Sequence, residues 1–151
     1  MNLMQILLLS LLIMGLAAPA LGQLNATEWF DVGITLYDQE RFSDSVQAYD
    51  RAIEINPQFA EAWNNKGIDL GMLGKYDEAF QAFSTAVTIN STYAEAWYNM
   101  GVIFDFKGDY DSAIQAYSRA IWINPSSQKA LINRDNDIDI IANIWPNWES
   151  Y

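Results

Sequence analysis

The 151-residue sequence contains neither cysteine nor histidine. Their absence excludes disulfides, thiolate nucleophiles, the usual Cys/His zinc sites and an imidazole general base. Basic residues are also scarce, because 8 Lys and Arg stand against 19 Asp and Glu, for a formal net charge of −11. Such a charge repels phosphate backbones, so nucleic-acid binding is disfavoured. We expect no metal and no cofactor.

The remaining chemistry is that of carboxylates, hydroxyls and lysine. An acid-catalysed hydrolase built from these groups would need a deep cleft in which two close carboxylates have separated pKa values. No pattern in the sequence predicts such a pair. The apolar fraction of 51% excludes disorder over the whole length. We therefore expect a folded, non-enzymatic protein.

The N-terminal segment is apolar, and its first charged side chain is Glu28. The run over residues 3–18 is shorter than a bilayer span and precedes Ala20 and Gly22, which have the spacing of a signal-peptidase site. Residues 1–22 are therefore interpreted as a signal peptide, followed by a linker over 23–25. Because no Lys or Arg precedes the run, an uncleaved membrane anchor stays open as the alternative. Either interpretation predicts a secreted or extracytoplasmic protein.

An internal repeat is the clearest signal in the chain. The segment Ala60–Trp63 recurs 34 residues later as Ala94–Trp97, and many further identities share that offset. Three copies run over residues 26–59, 60–93 and 94–127. A period of this size indicates stacked supersecondary units, each of which buries its apolar stripe against its neighbours.

Each copy has the spacing of two helices. Trp63, Gly67 and Leu70 lie on one helical stripe, and a second stripe follows after a break at Gly74. Acidic residues come next, and Asp77 and its equivalent Asp111 are predicted to be the N-caps of the second helices. Small residues on the first helices, such as Gly67, are predicted to permit close helix approach.

At these residues the chain resembles the tetratricopeptide repeat family, which has this period and this Trp, Leu-Gly, Tyr, Ala, Phe and Pro pattern. The resemblance implies an all-α solenoid of three helical hairpins. Residues 128–145 keep helical apolar spacing and are predicted to form a capping helix, with Asp135, Asp137 and Asp139 facing away from the array or lying at its edge. The aromatic tail, residues 146–151, either folds back or supports weak self-association by docking on a second copy.

The resemblance also implies a concave groove, lined by the first helix of each pair, in which a peptide or extended protein segment binds. The predicted groove residues form three rows that repeat every 34 positions, together with one acid at the rim. They are Phe30, Asn64 and Tyr98; Asp31, Asn65 and Asn99; Ile34, Ile68 and Val102; and Glu95. Amides can pair with a peptide backbone while the apolar row takes its side chains.

Acidic residues near this groove favour a neutral or basic partner; they are Glu61, Asp69, Glu95 and Asp105. Repeats that bind acidic chaperone tails carry a basic clamp, and the matching positions here hold Phe30, Glu95 and Asn99. Binding of such tails is therefore disfavoured. The alternative interpretation of the rows is that they are solvated or inter-helix faces. A membrane-anchored scaffold or assembly subunit is the alternative function.

Two local motifs are given structural interpretations. The segment from Asp135 to Asp139 imitates the start of a calcium loop, but Ile140 replaces the turn glycine and Pro146 the final acid, so a helix surface is expected. Asn25 and Asn90 begin glycosylation sequons. Because Asn90 recurs as Asn56 and Asn124, a structural role in a turn is expected for it.

Overall fold

The computed structural model of the protein describes residues 24–144, and every regular element within that range is an α-helix. The seven helices of this range alternate between the first and second members of three hairpins and end with a single helix. They are α1 (Ala26–Asp38), α2 (Phe42–Ile55), α3 (Ala60–Met72), α4 (Tyr76–Ile89), α5 (Ala94–Lys107), α6 (Tyr110–Ile123) and α7 (Gln128–Ile144). The all-α expectation is confirmed.

The hairpins stack in chain order. Each helix packs on its successor from α1 to α7, and α3 also contacts α5 directly. Equivalent residues have equivalent surroundings, since the indole N–H of Trp63 donates to the Pro57 carbonyl at 3.0 Å and that of Trp97 to the Ser91 carbonyl at 3.2 Å. The 34-residue period therefore corresponds to one structural unit.

The second helices end at asparagines with a common role. The Asn56 carboxamide oxygen accepts from the Gln58 N–H at 3.2 Å, and that of Asn90 accepts from the Thr92 N–H at 3.1 Å. Asn124 makes the same contact with the N–H of Ser126. Side chains that bond to the backbone two residues later stabilise turns, so the structural role expected for Asn90 is confirmed.

The predicted N-caps are wrong by two residues. The capping positions of α4 and α6 are Lys75 and Asp109, whereas Asp77 and Asp111 lie inside the first turn. Asp109 caps α6 through its side chain, which accepts from the Ser112 N–H at 3.2 Å. The acids at 77 and 111 still lie where the positive end of the helix dipole favours them.

Three glycines allow the two helices of each hairpin to approach. A Cβ at Gly33, Gly67 or Gly101 would lie 2.3, 2.6 or 2.4 Å from an aromatic ring of the second helix. The rings belong to Tyr49, Phe83 and Tyr117, all fully buried. The predicted close approach is confirmed, and the group it accommodates is an aromatic ring.

Helix α7 packs on α6 as a cap, but with a different face from the one predicted. Ala130 and Asp137 are its buried residues, while Ile138 is 45% exposed and Ala142 is exposed. The expectation that Asp137 faces away from the array is therefore wrong. The helix expected over the calcium-loop-like segment is confirmed.

The predicted signal peptide or anchor (1–22) and aromatic tail (146–151) lie outside the described residues, as do Gln23 of the linker and Trp145 of the cap. Within 24–144, none of the helices combines the length and the hydropathy of a membrane-crossing segment.

Candidate functional site

The predicted groove residues lie on α1, α3 and α5, the first helices of the three hairpins. We call the surface that they form the first-helix face. Because α3 and α5 touch each other directly, their side chains form one continuous surface. The shared face results from the repeat itself, since residues 34 apart occupy the same position in successive hairpins.

An apolar row runs along this face. Ile34 is 37% exposed, while Ile68 and Val102 are half-buried and pack against the cores beneath them. The row is thus open at α1 and more enclosed towards α5. It offers apolar contact area to a partner, and part of each side chain also serves packing between helices.

A chain of carboxamides crosses the face beside that row. Asn99 Nδ2 donates to Asn64 Oδ1 at 3.0 Å, and Asn64 Nδ2 donates to Asn65 Oδ1 at 3.2 Å. Asn64 is only 1% exposed, whereas Asn65 and Asn99 are partly exposed. The prediction that Asn64 contacts a partner is therefore revised, because this side chain orients the two outer amides from beneath.

Aromatic rings occupy the remaining positions of the Asn64 row. The Phe30 ring packs 4.8 Å from that of Phe59, and the Tyr98 ring lies 5.5 Å from that of Tyr117. The ammonium of Lys129 on the cap lies 4.3 Å from the centre of the Tyr98 ring. Both predicted residues are half-buried, so each presents only one side to a partner.

The acids predicted near the groove, which are Asp31 of the second groove row and the rim residues, divide into two groups. Asp31, Glu61 and Glu95 are exposed. The pKa of the nearby Tyr93 is raised to about 12, mainly by burial and further by the negative charges of Glu95 and Glu61. This part of the rim is acidic, as predicted.

Asp69, the other predicted rim acid on α3, is fully buried. Neither carboxyl oxygen has a hydrogen-bond partner, because the adjacent Ser45 hydroxyl donates its proton to the Gly33 carbonyl at 2.8 Å. Burial raises the pKa of Asp69 from 3.8 to about 6. Its placement at the rim is therefore wrong.

The last repeat and the cap enclose an open cleft of about 450 Å³, which we call the end cleft. Its walls come from α5, the first residue of α6, and α7. They include Asp105, Phe106, Tyr110, Asn133, Asp137 and Ile140. The first-helix face runs into this cleft, because Val102 belongs to both.

Two carboxyls meet in the end cleft. Asp105 Oδ2 accepts the Tyr117 hydroxyl proton, and that hydroxyl also accepts from Asn133 Nδ2 at 3.3 Å. Burial, the charge of Asp105 and a hydrogen bond between the two carboxyls raise the pKa of Asp137 to about 7. No pattern in the sequence predicted that these two carboxyls lie together.

The repeat period contained a signal for both missed residues of the cap. Asn133 lies 34 residues after Asn99, and Asp137 lies 34 after the buried Ile103. Extending the 34-residue period into the cap predicts that both side chains face the array. Apolar spacing alone selected a different face.

The Asp105–Asp137 pair meets one requirement for an acid-catalysed hydrolase, because two carboxyls lie close together in a cleft. Glycosidase carboxyls lie at least about 5 Å apart so that a sugar and a water fit between them. The Asp105 and Asp137 carboxyls are instead close enough to bond to each other. This arrangement differs from the carboxyl spacing of a glycosidase centre.

Two tetratricopeptide repeat family models match the sequence, one over residues 30–94 and the other over residues 94–127. Together they span well over half of the chain, which therefore belongs to the tetratricopeptide repeat family. Proteins of this family are generally non-catalytic interaction modules. A search of curated proteins finds no match.

Solved structures with the same fold include two of comparable identity. The crystal structure of MamA is 25% identical with a TM-score of 0.73, covering 76% of this chain and 67% of that one. YrrB, a TPR protein with an unusual peptide-binding site, is 28% identical with a TM-score of 0.71. The match to YrrB covers 76% of this chain and 59% of that one, less than two thirds of its length.

A third structure, the first TPR of Spaghetti (RPAP3) bound to the HSP90 peptide SRMEEVD, has a TM-score of 0.76 at 18% identity. The match covers 78% of this chain and 93% of that one. At this identity the likeness shows the fold alone.

Proposed function

We propose that the protein binds an extended segment of another protein along the first-helix face, with the helices serving as a rigid scaffold. The observation that carries this proposal is the continuous surface on which a half-exposed apolar row runs beside hydrogen-bonded amides. Rigid helices hold these groups in place before a partner arrives, so binding orders little of the protein itself.

The chemistry of the face supports an extended peptide as the ligand. Carboxamides both donate and accept, so Asn65 and Asn99 can pair with a peptide backbone whatever its sequence. The apolar row, beginning at Ile34, supplies the area that side chains of the peptide would cover. The structure of YrrB provides a related precedent, since that protein has a peptide-binding site.

Charge supports a neutral or basic partner. Asp31, Glu61 and Glu95 are exposed beside the face, and the whole chain has a net charge of −11. An acidic peptide such as the one bound by Spaghetti would meet Glu95 at a position that resembles a basic clamp site. Repulsion between like charges disfavours that class of ligand.

A matched pair of isoleucine substitutions tests the location of the site. Peptides are first selected from a random synthetic library on the immobilised full chain. The affinity of a selected peptide is then measured for Ile34→Ser, on α1, and for Ile55→Ser, at the end of α2; both side chains are exposed. We expect about tenfold weaker binding for Ile34→Ser, equivalent to about 1.4 kcal/mol, and no change for Ile55→Ser. Equal effects would place the binding site away from the first-helix face.

We further propose that this binding takes place outside the cytoplasm, after cleavage behind Gly22. The support is the uncharged apolar run over residues 3–18 and the absence of Lys and Arg before Arg41. Mass spectrometry of the protein from its native cell is expected to find Gln23 as the N-terminal residue. A chain that begins at Met1 and sediments with membranes would instead support the anchored scaffold.

A further inference from the structure

We propose that the end cleft receives a lysine or arginine side chain of the partner segment, whose positive charge pairs with Asp105 and Asp137. This inference rests on the proposed function, because it assigns one residue of the ligand that the first-helix face would bind. It adds a second, charge-selective contact at the cap end of that face.

Two buried acceptor atoms carry the argument. Asp137 is only 3% exposed, and its Oδ2 has no N–H or hydroxyl donor, so that the Asp105 carboxyl is its one polar neighbour named among the described residues. Asp105 Oδ1 is likewise buried without a partner, although its Oδ2 accepts from the Tyr117 hydroxyl. Buried carboxylate oxygens are costly unless a donor satisfies them. A cation with several N–H donors would satisfy both of them.

No basic side chain of the described residues lines the end cleft. The three cations nearest in sequence to its walls have other contacts. Lys107 pairs with Asp77 at 2.7 Å, Arg134 pairs with its neighbour Asp135 at 2.7 Å, and Lys129 lies over the Tyr98 ring. Among the described residues, no cation is therefore placed to pair with the two carboxyls, and a partner molecule is the proposed source of the positive charge.

The other walls fit a long aliphatic stem. Phe106, Tyr110 and Ile140 line the cleft together with the carboxyls, and the Phe106 ring is held by stacking on that of Tyr76 at 5.2 Å. Methylene groups of lysine or arginine gain from apolar contact, and aromatic faces attract cations. A divalent metal prefers six or more oxygen ligands, so the apolar walls suit it poorly.

The raised pKa of Asp137 is in line with the same need for positive charge. Burial and the neighbouring Asp105 charge raise the pKa of Asp137 to about 7. The titratable groups that face the pair are Tyr98 on α5 and Tyr110 and Tyr117 on α6, and none of them is cationic. Above this pKa the Asp137 carboxyl is negatively charged beside Asp105. A bound cation would then take the place of the proton that Asp137 has lost.

Binding of a cation in the end cleft can be tested without a peptide that occupies the first-helix face. The probe is lysine blocked at both termini as its N-acetyl methylamide, with blocked norleucine as a neutral ligand of similar stem. The side-chain amide signals of Asn133 and Asn136 are followed by NMR on the full ¹⁵N-labelled chain. The variant is Asp105→Asn with Asp137→Asn, and exposed Asp139→Asn on the same helix is the control.

We expect blocked lysine, and not blocked norleucine, to shift these signals at about pH 8, with affinity about tenfold lower near pH 5.5 as Asp137 gains its proton. The double variant should lose the response and the control should keep it. Equal responses to lysine and norleucine would overturn the proposal, even if the double variant fails to fold. Saturation by Ca²⁺ with no response to lysine would also overturn it, in favour of a metal site. None of these outcomes depends on whether Ile34 contributes to peptide binding.

Discussion

The buried carboxyl of Asp69 gives a quantitative test of how the repeats pack. Asp69 on α3 and Ser45 on α2 are neighbouring buried polar residues where the first and second repeats meet. Exactly one period later the same positions hold Ile103 and Ala79, both buried in the apolar core. The double substitution Ser45→Ala with Asp69→Ile therefore gives the interface between the first and second repeats the same two residue types that the protein has between the second and third.

The expected change in the free energy of unfolding follows from the pKa of Asp69. The folded chain binds this proton more tightly than the unfolded chain, because burial raises the pKa from 3.8 to about 6. Protonation therefore stabilises the fold below pH 3.8, and this stabilisation is lost as the pH rises through about 6. A rise of about two pKa units corresponds to about 3 kcal/mol in the free energy of unfolding.

Urea denaturation of the wild type and the double variant measures the effect. We expect the variant to be more stable at about pH 7.5, and most of the ~3 kcal/mol advantage to disappear at about pH 4. Taking the difference between the two proteins removes the contribution of the other titrating groups, Asp137 included. Asp139→Asn, which changes an exposed carboxylate, controls for net charge. A difference that does not depend on pH would refute the burial argument for Asp69.

Two further substitutions test the packing and the amide chain. Gly67→Leu should cost several kcal/mol, on the order of 3 or more, because even a Cβ would lie 2.6 Å from the Phe83 ring; an unchanged melting temperature would contradict this geometry. Asn99→Ala should cost about 1–3 kcal/mol, because it removes the donor to the buried Asn64 carboxamide. Chemical denaturation measures it, with exposed Asn136→Ala as the control, and equal stability of the two variants would show that the amide chain contributes nothing.

The fold could be predicted from the sequence because the same packing contact between two helices recurs in all three repeats. Gly33, Gly67 and Gly101 recur at the position where an aromatic ring of the second helix needs space, so the offset of 34 identifies both partners at once. Helix ends were predicted less well. An aspartate in the first turn and one at the cap both meet the positive end of a helix, so composition alone does not separate Asp111 from Asp109.

The sequence predicted which helices carry the candidate site, but not how deeply each of its side chains is buried. Equivalent positions share a direction, yet burial depends on the neighbouring repeat, which sequence periodicity does not describe. Asn64 therefore lies beneath the face, whereas Phe30 in the same row is half-buried. The burial of Asp69 and Asp137 was not predicted, because charged side chains are expected at the protein surface unless they are paired.

These two aspartates make the interfaces of the array unequal. The largest apolar cluster joins the second and third repeats, where Ile103 occupies the position that Asp69 and Asp137 occupy one repeat before and one repeat after it. In a solenoid, stability is approximately a sum over such interfaces. A buried carboxyl at the first and at the last interface therefore weakens the two ends relative to the centre, most of all above the pKa of each group. At the last interface, the same unsatisfied charge that weakens the packing of α7 is the feature that a bound cation would neutralise. Ligand binding in the end cleft would then also stabilise the cap, since a ligand that binds only the folded interface shifts the equilibrium towards it.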